Sequence, residues 1–334
     1  MKKIIILFST LFVCNILHAN DQVIIEESSL YPEGISYDTK ENRFLVSSIS
    51  RGEIWSINKK GETTLFAKTR YPSTVGLLVN SKMNQLLVCI ADPGASITSS
   101  KKTKGKLAKL IIYDLTSKAK IHEYDLAAID TNKPHMANDV TYDNQSNIYI
   151  TDSFSPNIYK ITNTGKLSIL TTNHIWDTKE GQFGLNGIVY HPDGYLIVAH
   201  YATHTLYKVA LDTPHILHKI NFSQEELTMN QKLKSIDGLY LINDKNLALV
   251  SNSFTQDANG NGVYILQSTD KWNSAIFTKS MVSNADFPTT LTRKDNELYV
   301  MHSHLPVLFS GNKHPVKSFE IEKVTFKDIH HVTK

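Results

Sequence analysis

The sequence predicts an all-β chain: a six-bladed β-propeller with four antiparallel strands per blade, its ring closed by the N- and C-terminal strands. Three observations carry this. One phrase recurs six times, with leading positions 33, 75, 138, 186, 237 and 289, separated by 42, 63, 48, 51 and 52 residues. Each copy reads as strand, turn, strand, and no long amphipathic helix competes.

The copies are "EGISYDTKENRFLVSS" from Glu33, "VGLLVNSKMNQLLVCIAD" from Val75, "NDVTYDNQSNIYITDS" from Asn138, "NGIVYHPDGYLIVAH" from Asn186, "DGLYLINDKNLALVSNS" from Asp237 and "TTLTRKDNELYVMHSH" from Thr289. Val, Ile, Leu and Tyr fill the apolar runs, and turn residues such as Asp193-Gly194 separate them, which is a hairpin signal. A third strand follows in most copies: "GEIWSIN", "LAKLIIYDL", "PNIYKIT", "HTLYKVA" and "GNGVYILQS". Weaker fourth strands read "ETTLFAKT" and "KLSILTT", and "SQEELTMNQKL" suits one short helix in a connection. "QVIIEES" and "VKSFEIEKVTF" have no place in the six copies and are expected to share one blade, where the two chain ends hide an edge. A β-sandwich would require the spacing to be coincidental. Between the second and third copies, residues 92–109 carry five lysines among Ser, Thr and Gly, and read as a solvated insertion or a lid.

Residues 1–19 read as a signal peptide: Lys2 and Lys3, an apolar stretch over 4–17, and Ala19 at the cleavage point. An uncleaved anchor is the competing reading, and Val13 before Cys14 argues against lipidation. Cleavage leaves a single domain over residues 20–334, located in the periplasm or secreted, with no membrane association. Losing two of the 35 basic residues leaves 33 against 32 acidic, a balance that gives no reason to expect nucleic acid as a partner. Cys89, the remaining cysteine, lies in "QLLVCIAD" and reads as a small core residue.

In a propeller the first strand of every blade lines the central channel, so the leading positions form a ring: Glu33, Val75, Asn138, Asn186, Asp237 and Thr289. Four of these present carboxylate or amide oxygens. Two negative charges and two carbonyl oxygens suit a hard divalent cation, calcium before zinc, magnesium or manganese. Zinc is weaker because the ring has no His or Cys. Any one Asn-Gly or Asp-Gly pair alone reads as a turn. The set, however, keeps an apolar residue two positions on (Ile35, Val140, Ile188, Leu239), and a turn has no use for Glu33.

With the openings "PEGI", "ANDV", "LNGI" and "IDGL" in that order, the chain resembles the senescence-marker-protein/gluconolactonase (regucalcin-like) family and, more distantly, the paraoxonases and diisopropyl fluorophosphatase. The resemblance covers nearly the whole chain after residue 19. It implies direct metal ligation by Glu33, Asn186 and Asp237, with Asn138 as fourth ligand or substrate contact. It also implies hydrolysis of a lactone or related ester, with Asp237 as general base. Where sugar-lactone members carry arginine, this sequence has Met136, between His135 and Ala137, which favours a less polar or different substrate. Strictosidine synthase keeps this fold without the metal chemistry, so the fold alone does not decide function.

The second strand of each blade returns to the face on which the first began. Its last residues should therefore ring the entrance: Ser47 to Arg51, Asp92, Asp152-Ser153-Phe154, His200-Tyr201, Asn252-Ser253-Phe254 and His302-Ser303-His304. From these come the expected catalytic partners of Asp237, namely His302 and His304. The expected substrate contacts are Asn138, His135, His200, Tyr201 and Asp152, around a small-molecule lactone or ester. The alternative function is a non-catalytic propeller with a structural calcium that binds a small ligand or protein partner. A WD-repeat scaffold is poorer, since "WD" occurs once, at Trp176-Asp177.

Overall fold

The computed structural model describes residues 22–225, 227–228, 232–255, 260–283, 287–312 and 314–329. The expected signal peptide lies outside these, as does part of the expected short helix at 223–233. Strand β1 (Gln22–Ile25) comes first. The chain then folds as successive antiparallel meanders. The first is β2 (Ile35–Asp38), β3 (Arg43–Val46), β4 (Glu53–Asn58) and β5 (Thr63–Lys68). The second is β6 (Ser73–Asn80), β7 (Gln85–Ala91), β8 (Lys106–Asp114) and β9 (Lys120–Asp125). The third is β10 (His135–Tyr142), β11 (Ile148–Asp152), β12 (Asn157–Ile161) and β13 (Leu167–Thr172). Next come β14 (Leu185–His191), β15 (Tyr195–His200), β16 (Thr205–Ala210) and β17 (Leu217–Lys219). They are followed by β18 (Ser235–Asn243), β19 (Asn246–Asn252), β20 (Gly262–Gln267) and β21 (Ile276–Val282). Last are β22 (Pro288–Lys294), β23 (Glu297–His302), the short helix α1 (Leu305–Phe309), β24 (Phe319–Lys323) and β25 (Lys327–Asp328).

This is an all-β, propeller-like fold. By hydrogen bonding it comprises four sheets of four or five strands and one of eight, rather than the six separate blades expected from sequence. The eight-stranded sheet arises because β8 and β10 pair in parallel at His135–Lys106 and Met136–Leu107, fusing the second and third meanders. As expected, the chain ends share a sheet: β1 pairs with β24 from Gln22–Glu322 to Ile25–Phe319. The inner strands touch in a closed circuit, β2 to β6, β10, β14, β18, β22 and back to β2. Cys89 is buried in the apolar core beside Leu87 and Ala91, the small core residue that was expected. The 92–105 connection is tied down, because Asp92 accepts from Ser99 and Thr103, and Ser50 O accepts from Ile97 N. Among the described residues no helix is long and apolar enough to cross a membrane.

One irregularity recurs in five inner strands. Regular pairing with the second strand breaks between Thr74 and Leu77, Ala137 and Val140, Leu185 and Ile188, Ile236 and Leu239, and Pro288 and Leu291. In each case two residues on the inner strand oppose one on its partner, the signature of a β-bulge, which bends the strand and re-aims a side chain. The two residues inside every bulge are the leading residue and its successor. The apolar residue two positions on is where the ladder resumes, as Leu77–Val88, Val140–Ile150, Ile188–Val198 and Leu239–Leu249.

Candidate metal and active centre

The bulges bring adjacent inner strands into backbone contact. A Cβ built on Gly76 would lie 2.4 Å from Asn138 O, and one on Gly187 2.4 Å from Asp237 O. Glycine after the leading residue therefore permits an approach that no side chain could share. The circuit is cross-braced by Thr151 Oγ1 donating to Asn186 O (2.7 Å) and Thr289 Oγ1 donating to Glu33 O (2.8 Å). Thr289, one of the two leading residues without a ligating role in the expected ring, thus ties the last inner strand to the first.

Glu33, Asn138, Asn186 and Asp237 are all buried. Glu33, Asn186, Gly34, Gly76, Asp139 and Gly238 line a cavity of about 10 Å³ on the inner strands, roughly the space of one water or ion. Asn186 donates a side-chain hydrogen bond to Asp237. Asn252 Nδ2 donates to Asp237 Oδ2 (2.5 Å) and to Pro288 O (2.6 Å), while Tyr201 Oη donates to Asn252 Oδ1 (2.7 Å). The tyrosine fixes which face of the amide meets the carboxylate.

Burial raises the Glu33 carboxyl well above its ordinary value, and the charges of Asp237 and Asp139 push it further. Burial likewise lifts Asp237 to about 7, despite hydrogen bonds from Asn252 and Asn186 that favour its charged form. Asp139, carried up to about 7 by burial, is the third carboxyl of the cluster and was not expected from sequence. Its Oδ1 accepts from Val140 N (2.8 Å) and its Oδ2 from Ile188 N (3.2 Å), so it clamps two inner strands. One signal could have found it: the residue after the leading position is Gly34, Gly76, Gly187, Gly238 or Thr290 in the other copies, and an acid stands out in that column.

A divalent cation fits this set. Glu33 Oε2 and Asn138 Oδ1 are buried oxygens without a hydrogen-bond partner, and both are acceptors that a cation would satisfy. A cation would also offset the repulsion among three buried carboxyls. Among the described residues no three His, Cys, Asp or Glu side chains gather to hold a metal by themselves. The expected set has two carboxylates and completes itself with amide oxygens.

Most of the remaining expected site residues make bonds outside the ring. His135 bonds Asp152 Oδ2 through Nδ1 (2.8 Å) and Asp130 O through Nε2 (2.6 Å), so both ring nitrogens are taken. Burial lowers the pKa of His135, but the hydrogen bonds and charges of Asp152 and Asp130 together outweigh this and the net shift is upward. The other Asp152 oxygen accepts from Met136 N, Phe154 N and Ser155 N, shaping the turn after β11. His200 is held by Thr203 Oγ1 (2.8 Å) and Trp176 O (3.2 Å), and burial lowers its pKa. His302 bonds Glu322 through Nε2 (2.8 Å), its buried Nδ1 having no hydrogen-bond partner, and the His304 ring packs on Phe319, which draws both toward β24. These four histidines and Asp152 lie at or beside strand ends on the expected face, and the bonds of His135, His200 and Asp152 brace connections. A separate cavity of about 700 Å³ lined by Thr203, His204, Asn221, Phe222 and Ser274 contains none of the expected residues.

The fold is matched by solved structures. The Malassezia sympodialis allergen Mala s 1 superposes with a TM-score of 0.69 at 16% identity, covering 92% of this chain and 96% of that one. A luciferin-regenerating enzyme gives 0.60 at 11% identity over 92% and 97%. A Xanthomonas campestris gluconolactonase gives 0.58 at 12% over 92% and 91%. Among curated proteins none matches the chain significantly. The model of the SMP-30/Gluconolactonase/LRE-like region matches residues 31–286, a span holding every ring residue except Thr289, and the chain belongs to that family.

Proposed function

We infer that this protein is an exported, divalent-cation-dependent hydrolase of lactones or related esters, built on six blades around one axis. Family membership supports a hydrolase of lactonase type acting on a small molecule. The six-blade count is supported by the closed circuit of inner strands, and the fused sheet then counts as two blades bridged at two residue pairs. Export rests on Lys2, Lys3, the apolar stretch at 4–17 and Ala19.

The observation that carries the reading is the pair of partnerless buried oxygens, Glu33 Oε2 and Asn138 Oδ1, beside Asp237 and Asn186. These four side chains would hold the cation, calcium being the best match to an all-oxygen set. When bound, the cation supplies charge stabilisation for a carbonyl oxygen that turns negative under attack by water. The protein's own part is to hold and move a proton. Asp237 accepts it from the attacking water at the carboxylate, while Asn252 and Asn186 keep the carboxylate oriented. Tyr201 acts one step back, as a positioning residue on Asn252.

A panel of lactones and aryl esters assayed with the calcium-loaded protein and Asp237→Ala tests this. Hydrolysis by the wild type, reduced by about 100-fold or more in the variant, which loses both a cation ligand and the base, is expected. Calcium binding without hydrolysis of any member would leave a binding module with a structural ion.

A further inference from the structure

Above the axial ring lies a second constellation that, Tyr201 apart, the hydrolytic reading does not use. Phe154 and Phe183 stack with centroids 5.7 Å apart and planes at 21°, and Phe183 and Phe254 stack at 5.9 Å and 22°. Tyr201 meets Phe183 edge-on at 6.0 Å, Phe309 meets both Phe183 and Phe254 edge-on, and Phe287 closes on Phe254 at 4.5 Å.

The placement of these rings is the informative point. Phe154 follows β11, Phe183 precedes β14, Tyr201 follows β15, Phe254 follows β19, Phe287 precedes β22, and Phe309 ends α1. They thus come from four successive meanders, all at the end where the inner strands begin. Rings drawn from four of the six meanders converge at one end of the circuit. Tyr201 joins the two layers, since its ring is part of the cluster while its hydroxyl bonds Asn252, which bonds Asp237. Apart from that hydroxyl the six side chains carry no polar atom. Phe254 and Phe309 remain 38% and 37% exposed, so the cluster opens to solvent. Phe287 has φ of +61°, a left-handed conformation costly for a bulky residue and one kept where a side chain must be aimed.

We propose that this aromatic collar is the subsite for the non-reacting part of the substrate, and that this part is a flat aryl group fused to the lactone ring or carried on the ester oxygen. The proposal rests on the axial ring being the end that meets the carbonyl. Slipped stacking is the favoured geometry for aromatic faces, and an aryl ring laid on Phe254 would extend the Phe154–Phe183–Phe254 stack. A polyhydroxylated ring placed there would lose its water without gaining a hydrogen-bond partner from any of the five phenylalanines.

The test uses binding without turnover. The probe is 3,4-dihydro-2-quinolinone, an aromatic lactam that the protein should hold without hydrolysing. It is compared by calorimetry with its fully saturated bicyclic counterpart, with calcium present. The aromatic lactam should bind about tenfold tighter. Phe254→Ala should remove most of that advantage. Phe254→Leu, which keeps apolar bulk on a half-exposed side chain, should remove the preference for the aromatic form while retaining the saturated one. Equal affinity for the two lactams, or an aromatic preference untouched in both variants, would overturn the proposal. Hydrolysis of dihydrocoumarin, the matching lactone, is followed in parallel. The expected lactam binding without that hydrolysis would sustain the collar while removing the hydrolase reading.

Discussion

At the scale of single residues the centre depends on what each oxygen lacks. Glu33 and Asn138 each bury an oxygen with no donor, whereas both Asp139 oxygens are taken by backbone N–H groups. Three carboxyls in one neighbourhood thus divide into two with ligating capacity, Glu33 and Asp237, and one that clamps strands. Asn252 is the residue whose loss should be most informative. Removing its amide strips a donor from Asp237 and leaves Pro288 O and Tyr201 Oη unmatched. Asn252→Ala should cost about 1–3 kcal/mol of stability in urea unfolding. It should also move the acidic limb of the pH–rate profile upward, because a carboxylate with fewer donors is a stronger base. Tyr201→Phe should lower kcat with little change in calcium affinity. The ring residues could be read from sequence because each opens a recurring phrase. Asn252 was legible only as an entrance residue, since the sequence does not say that its amide bonds Asp237. Asp152 and His200 show the converse: topology predicts the end of the sheet at which a strand finishes but not where its last side chain finds its bond.

At the scale of elements, hairpin patterning made the strands legible, down to the weak "ETTLFAKT" and "KLSILTT" runs that form β5 and β13. The repeated bulge was not legible, because inserting one residue leaves the apolar spacing downstream intact, as Leu77, Val140 and Ile188 attest. The pairing of β8 with β10 was equally hidden, resting on backbone groups at two residue pairs. Bulge glycines should be far less replaceable than hairpin glycines. Gly187→Ala sets a methyl 2.4 Å from Asp237 O and should cost on the order of 2–4 kcal/mol. Gly194→Ala, with nothing within 4 Å but φ of +88°, should cost about 1 kcal/mol from backbone strain alone. Parallel chemical denaturation of the two variants checks the difference.

At the scale of the molecule, the buried carboxyls couple the axis to overall stability. Asp139 and Asp237 both rise to about 7 in the folded chain, above their ordinary value of 3.8. Without a bound cation the folded state therefore holds protons that the unfolded chain has released between those values. Its stability is fully present at the lower end and is lost as pH rises toward 7. The Tm of chelator-treated protein should fall by several degrees between pH 5 and pH 7.5, and saturating calcium should flatten that slope. A pH-independent Tm in the treated protein would mean that the carboxyls do not strain the fold.

The claim on which the rest turns is that one cation binds where the inner strands converge, and calorimetric titration of calcium into chelator-treated protein tests it most directly. The account predicts a single site per chain that is lost in Glu33→Gln, which keeps the side chain's size but removes its charge, while Glu322→Gln on β24 binds as the wild type does. No heat of binding, or a site that Glu33→Gln leaves intact, would contradict it.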